Sequence, residues 1–284
     1  MNTKKDLSLV NCIATGLLAY FFTIPVHEFF HALTHLAYGN GVLCYSAGAV
    51  QDMNLVDFGT LSPFHRIMLG GGSASILNAI IGLVLFLIVL KAKMGPNLRA
   101  FMIQLTGAQL SCGFGYFMIG GLFGAGDWGN VYSYLEDMPG LITALRVILS
   151  ILGCLGVVLI FFMLNYMSYY FIEDNAGKSE KIGVAAKLYL TMLIFGFVVG
   201  MAVTALSPAN QSGDLNLGLG ALYNMMWITF FWGFMFTGVM KVFPPKKSRF
   251  LYKLPAKPNW ILLILALALI AVDIFVFGPG IWFH

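Results

Sequence analysis

Residues 27 to 31 read His-Glu-Phe-Phe-His, which fits the H-E-x-x-H pattern. Side chains four apart share one face of a helix, about 5 to 6 Å from each other. His27 and His31 can therefore both reach one zinc ion at about 2.0 to 2.1 Å. Glu28 is turned roughly a quarter circle away, beside such an ion but not bound to it, where a base for an attacking water is needed. With five histidines in 284 residues, chance supplies the pattern in roughly one such chain in a thousand. Ionisable groups inside an apolar segment are costly and usually functional, and here three fall within five residues. The competing readings of the cluster are a polar strut between helices and a proton relay in a transporter. Pro25, two residues before His27, loosens the preceding turn and can widen a pocket.

A catalytic zinc site generally takes three protein ligands and keeps one position open, so a third donor must come from another segment. Asp127 lies in a glycine-rich break, residues 124–130, and Asp273 lies inside the last apolar segment. Depth favours Asp127, which falls toward the same side of the membrane as the histidines. Its neighbouring glycines also permit a sharp turn and close helix approach. The plainer role for Asp127 is a helix N-cap, and Asp273 remains the alternative ligand. His35 continues the face of His31 but stands about 12 Å along the helix from His27, which suits a supporting or interfacial histidine. His65 reads as interfacial, and Glu136 and Asp137 read as solvated loop residues. The four cysteines, Cys12, Cys44, Cys112 and Cys154, are scattered singly and read as small apolar side chains.

The segments that carry these residues belong to a membrane protein. Hydrophobic residues make up 59% of the chain and charged ones 10%, where about 25% charged is usual for a soluble domain. A bilayer core about 30 Å thick needs about 20 apolar residues per helix. Seven stretches qualify: 9–36, 67–90, 99–123, 141–172, 182–206, 216–242 and 260–283. The expected fold class is an all-α polytopic membrane protein with about seven transmembrane helices. Residues 1–137 hold three spans with the chemistry, and residues 138–284 hold four more. The first segment is too long for a signal peptide and is read as a retained span. With the amino terminus cytoplasmic and the carboxy terminus outside, fourteen of the sixteen Lys and Arg residues face the cytoplasm, as the positive-inside rule asks. Only Arg66 and Arg146 fall near the opposite side. No continuous basic face suits nucleic acid. Residues 39–65 are too polar and broken for a span. Their strand-like runs 42–45 and 54–58 predict a small hairpin at the membrane surface, where open strands can satisfy their backbone groups.

The His27-Glu28-Phe29-Phe30-His31 segment, Asp127-Trp128-Gly129 and the intervening 70–78 segment, Gly-Gly-Gly-Ser-Ala-Ser-Ile-Leu-Asn, together resemble the site-2 protease family of intramembrane zinc metalloproteases. The resemblance covers residues 20–137. It implies that His27, His31 and Asp127 hold Zn2+, that Glu28 is the general base, and that Asn78 helps bind substrate or stabilise the oxyanion. The chain departs from the family pattern in having Phe30 before the second histidine, Gly126-Asp127-Trp128-Gly129 at the aspartate, and no proline in the middle segment. Better-known members open toward the cytosol, whereas the charge pattern here turns the site outward. Without the resemblance, Asn78 could equally be an ordinary interhelical hydrogen bond, and residues 70–72 could simply let helices approach.

The expected function is hydrolysis of peptide bonds in membrane-spanning protein substrates within the lipid bilayer. A helical substrate must unwind locally before attack, and the 39–65 segment could offer a strand edge to receive it. The alternative is a non-catalytic membrane protein: a metal or proton transporter using His27, His31 and Asp273, or an inactive protease relative that binds a partner. A transporter built on repeats would show a second polar site in its other half, and the sequence has none.

Overall fold

A computed structural model describes residues 8–46, 49–172, 176–195, 198 and 257–283. The first helix, α1 (Leu9–Ala37), is capped by Ser8, whose hydroxyl accepts from the Asn11 amide, and runs unbroken through Pro25. It ends where Gly39 and Gly41 take left-handed φ values of 75° and 71°. Next come two short antiparallel strands, β1 (Val42–Tyr45) and β2 (Val50–Asp52), closed by hydrogen bonds between Ser46 and Ala49.

The expected hairpin is therefore present, with its second strand earlier than predicted. Residues 54–58 are not a strand. Asn54 turns to φ 52°, and Asp57 caps a 3-10 turn at Phe58–Thr60 by accepting from the Gly59 amide.

Helix α2 (Pro63–Ile67) passes through a π turn (Met68–Gly72) into α3 (Ser73–Lys91), and α4 (Pro96–Phe123) returns antiparallel. Arg99, wholly buried, donates to the Val89 and Ala92 carbonyls and so closes the carboxyl end of α3, with the Tyr170 ring 4.3 Å from its guanidinium. A cation at a helix carboxyl end is favourable. After a glycine loop come α5 (Asp127–Tyr134) and the long α6 (Pro139–Ser168). Helix α7 (Lys178–Ala185) continues as a π turn, and α8 (Trp260–Val272) continues likewise to Phe277.

The last apolar stretch was expected to be helical to residue 283. Gly278, Pro279 and Gly280 end the helix, Gly280 at φ 80°, and the chain then forms β3 (Ile281–Trp282) beside β1. The sheet order is β2-β1-β3. Both edges of β1 are thus taken, and the outer edges available to an extended peptide belong to β2 and β3.

Among the described residues, four helical stretches are long and apolar enough to cross a membrane: Leu9–Ala37, Pro63–Lys91, Pro139–Phe171 and Trp260–Phe277. Helix α4 is as long but carries Gln104, Thr106, Gln109 and Ser111, all buried, because α1, α3 and α6 pack around it. A central helix shielded from lipid tolerates such groups when its neighbours bond them. Gln104 Nε2, for instance, donates to the Cys12 and Leu188 carbonyls. The outward faces of α3, α6 and α8 expose Leu, Ile and Val, as lipid-facing helices do. The predicted span at 216–242 lies outside the described residues, as does the end of the one at 182–206.

Candidate metal centre

Helix α1 presents His27 and His31 one turn apart, with their rings edge to face at 4.9 Å. The opposing wall is built by glycine. Gly71, in the π turn before α3, has φ 125°, a conformation essentially reserved for glycine. A β-carbon there would stand 2.6 Å from Asp127 Cβ, so its absence lets the first turn of α5 settle against this turn. The loop before α5 uses left-handed Gly124 and Gly126 to reverse the chain out of α4. Trp128 Nε1 donates to Ser75 Oγ at 3.1 Å and fastens α5 to α3. From below, Arg66 donates to Asp137 Oδ1 at 2.7 Å and to the Tyr134 carbonyl at 3.3 Å. Asp137 is thus an ion-pair partner that anchors the end of α5, not merely the solvated loop residue expected from sequence.

These supports bring three donor atoms together. His27 Nε2 lies 3.0 Å from Asp127 Oδ2 and 3.3 Å from His31 Nε2, and His31 Nε2 lies 3.3 Å from the same carboxylate oxygen. Gly126 is the N-cap of α5 and Asp127 its first residue, so the N-cap role is not the one Asp127 plays. Burial opposes ionisation of Asp127, yet the adjacent His31 and His27 outweigh it and hold the carboxyl well below its usual range. The side chains of His31 and Asp127 are 11% and 14% exposed while that of His27 is 3% exposed. The cluster is therefore reachable from the His31 and Asp127 side.

No protein-family model, curated protein or solved structure matches this chain. What the site can do rests on its own geometry. Ligands around a tetrahedral zinc ion at about 2.0 to 2.1 Å stand about 3.3 to 3.4 Å from one another, close to the three separations found. His27 Nδ1 lies 2.7 Å from Asn78 Oδ1, which can only accept. That hydrogen bond puts a proton on Nδ1, so Nε2 is the nitrogen of His27 that can bind a metal ion. Two imidazole nitrogens and a carboxylate oxygen at such spacing can hold a metal ion among them. The donor set fits a divalent ion of the zinc type.

Glu28 is buried, 7% exposed, and adjoins His27 in the helix. Asn78 is fully buried behind His27, its oxygen bonded to that ring and its nitrogen to Gln109 Oε1. Asp273 is also buried, but it is not in the donor cluster, and its Oδ1 has no hydrogen-bond partner among the described residues. His35 bonds to Asn40 and lies 3.7 Å from Asp52, so it ties α1 to the sheet instead of joining the centre. His65 packs on Tyr38 with ring centroids 4.9 Å apart.

Four contributors escaped the sequence reading. Tyr116 stacks on the His27 ring at 4.8 Å, and Cys112 Sγ lies 3.4 Å from Nδ1, so Cys112 is more than an apolar filler. Gln109 and Thr23 stand behind Asn78. Their only sequence signal was amide and hydroxyl side chains at unusual places in apolar segments.

Proposed function

We propose that the chain is an intramembrane zinc metalloprotease of the site-2 protease kind, hydrolysing peptide bonds of membrane-spanning proteins. The observation that carries this reading is the convergence of His27, His31 and Asp127 at 3.0 to 3.3 Å, with Glu28 next in sequence to His27. Zinc held by those three side chains would polarise a peptide carbonyl and bring the pKa of water at the site to about 7.

Glu28 is the base. Its carboxylate takes a proton from the attacking water and passes it to the leaving nitrogen as the C–N bond breaks, which returns Glu28 to its starting state. Tyr45, from β1, donates its phenol proton to the Pro25 carbonyl and so holds the sheet against the helix turn preceding His27. Burial, with Glu28 and Asp273 nearby, pushes the Tyr45 phenol up and keeps it a donor. The sheet then stands where an unwound substrate segment would enter, and the outer edge of β2 can pair with it in extended form. In this reading residues 1–137 are the catalytic unit and residues 138–284 complete seven spans, the amino terminus cytoplasmic. The partners are a membrane-protein substrate and the lipid bilayer.

Replacing Glu28→Gln tests the assignment. Zinc content should stay at the wild-type value while cleavage of a single-span reporter protein in detergent falls by about 10² to 10⁴-fold. Unchanged proteolysis would remove Glu28 from the mechanism. Wild-type protein that binds zinc and cleaves no reporter would favour the non-catalytic alternative.

A further inference from the structure

Behind His27 a line of polar side chains crosses three helices and ends on a backbone carbonyl. Thr23 of α1 donates its hydroxyl proton to the Ala19 carbonyl at 2.7 Å. With that proton committed, Thr23 Oγ1 offers a lone pair to its other neighbour, Gln109 Nε2 of α4, at 3.5 Å. The Gln109 amide is thereby oriented with its nitrogen toward Thr23 and its oxygen toward α3. Asn78 Nδ2 donates to that oxygen, so Asn78 Oδ1 must face His27 Nδ1, 2.7 Å away. Each step allows one direction only, since reversing either amide would set acceptor against acceptor or donor against donor. Thr23, Asn78 and Gln109 are all buried, at 1% exposure or less, so water cannot repair a reversed bond. Cys112 Sγ, 3.4 Å from the same ring nitrogen, is too weak a partner to reverse the order.

From this line we infer that Gln109 is a positioning residue: acting through Asn78, it holds the His27 proton on Nδ1 and turns a bare Nε2 toward His31 and Asp127. The inference rests on the metal-site reading proposed above and extends it to a residue two side chains removed from the ion. Partners that fix the tautomer of a ligating histidine are typically worth 10 to 100-fold in metal affinity. Asn78, in this role, supports the metal ligand and does not touch substrate.

The test compares Gln109→Leu with Gln109→Glu in the full chain. Leu keeps the bulk and loses both polar atoms. Glu, neutral when buried, keeps an acceptor toward Asn78 and a donor toward Thr23. Zinc titration should show affinity 10 to 100-fold weaker for Gln109→Leu and within about threefold of wild type for Gln109→Glu. A role limited to filling space predicts the reverse order, because Leu would be tolerated and a buried acid would not. In metal-free protein labelled with ¹⁵N-histidine, at a pH high enough for the ring to be neutral, wild type and Gln109→Glu should give the Nδ1–H signature for His27, and Gln109→Leu a mixture of tautomers. Should Gln109→Leu not fold, Thr23→Val, which leaves the Gln109 amide unoriented, is read by the same two measurements. Equal zinc affinity in Leu and wild type, or a Glu variant as weak as Leu, overturns the inference. If wild type itself bound no zinc, the metal reading would fail, while the tautomer spectra would still decide the relay.

Discussion

Among single residues, the choice between two aspartates decides which segment completes the proposed metal centre. Asp127 Oδ2 lies 3.0 and 3.3 Å from the two imidazoles, whereas Asp273 is buried apart from that cluster. Asp127→Asn should therefore release zinc, and Asp273→Asn should leave zinc content unchanged, as measured by elemental analysis of purified protein. The reverse result would move the third ligand to α8. The two histidines and Glu28 were legible because H-E-x-x-H is a local pattern, its spacing set by the helix alone. Asp127 was legible only as one of two acids, since no local rule says which distant segment folds back. Of the Thr23–Gln109–Asn78 line only Asn78 was legible, as a substrate contact or an interhelical hydrogen bond. The line depends on three helices meeting in one register, and nothing in the sequence near Gln109 names its partners.

At the scale of elements, the centre depends on how closely the π turn before α3 approaches the start of α5. Gly71→Ala would combine a strained φ of 125° with a β-carbon 2.6 Å from Asp127 Cβ. Moving Asp127 by about 1 Å can cost about 10²-fold in rate. The variant should lose zinc and reporter cleavage together, whereas Gly140→Ala, where nothing lies within 4 Å of the added carbon, should alter neither. Wild-type zinc content in Gly71→Ala would show that the turn does not set the ligand position.

The glycine run at 70–72 was visible in the sequence as a place for close packing, but its partner was not, because close approach is a property of two surfaces. The hairpin was visible in outline. Its second strand was misjudged because Asn54 adopts a positive φ that ends pairing. The third strand was missed because residues 281–283 continue an apolar run, and only the Gly278-Pro279-Gly280 break signals that the helix has stopped.

At the scale of the whole molecule, the bilayer explains the distribution of polar groups. Polar side chains collect around α4 and the centre, while the outer face of α6 exposes Val147, Ile148, Ile151, Leu152, Leu155 and Val158. Leu155 is 63% exposed near the middle of that helix. If this face meets lipid, Leu155→Arg should oppose insertion by about 2.5 to 3.5 kcal/mol and lower the membrane-inserted yield, read by carbonate extraction. A yield equal to wild type would mean that the face meets water or protein. Membrane character was legible from composition, since a chain with 10% charged residues has too little polar surface to cover a soluble fold. Four of the expected spans stand out as apolar helices. The α4 segment is less distinct because a helix buried by its neighbours is free to carry the glutamines that a lipid-facing one could not.

Whether His27, His31 and Asp127 form one zinc site, as proposed, is read from the zinc stoichiometry of the purified full chain beside that of His31→Ala. One zinc per chain in wild type and none in His31→Ala is the expected result. Wild type without zinc, or equal zinc in both proteins, would contradict it.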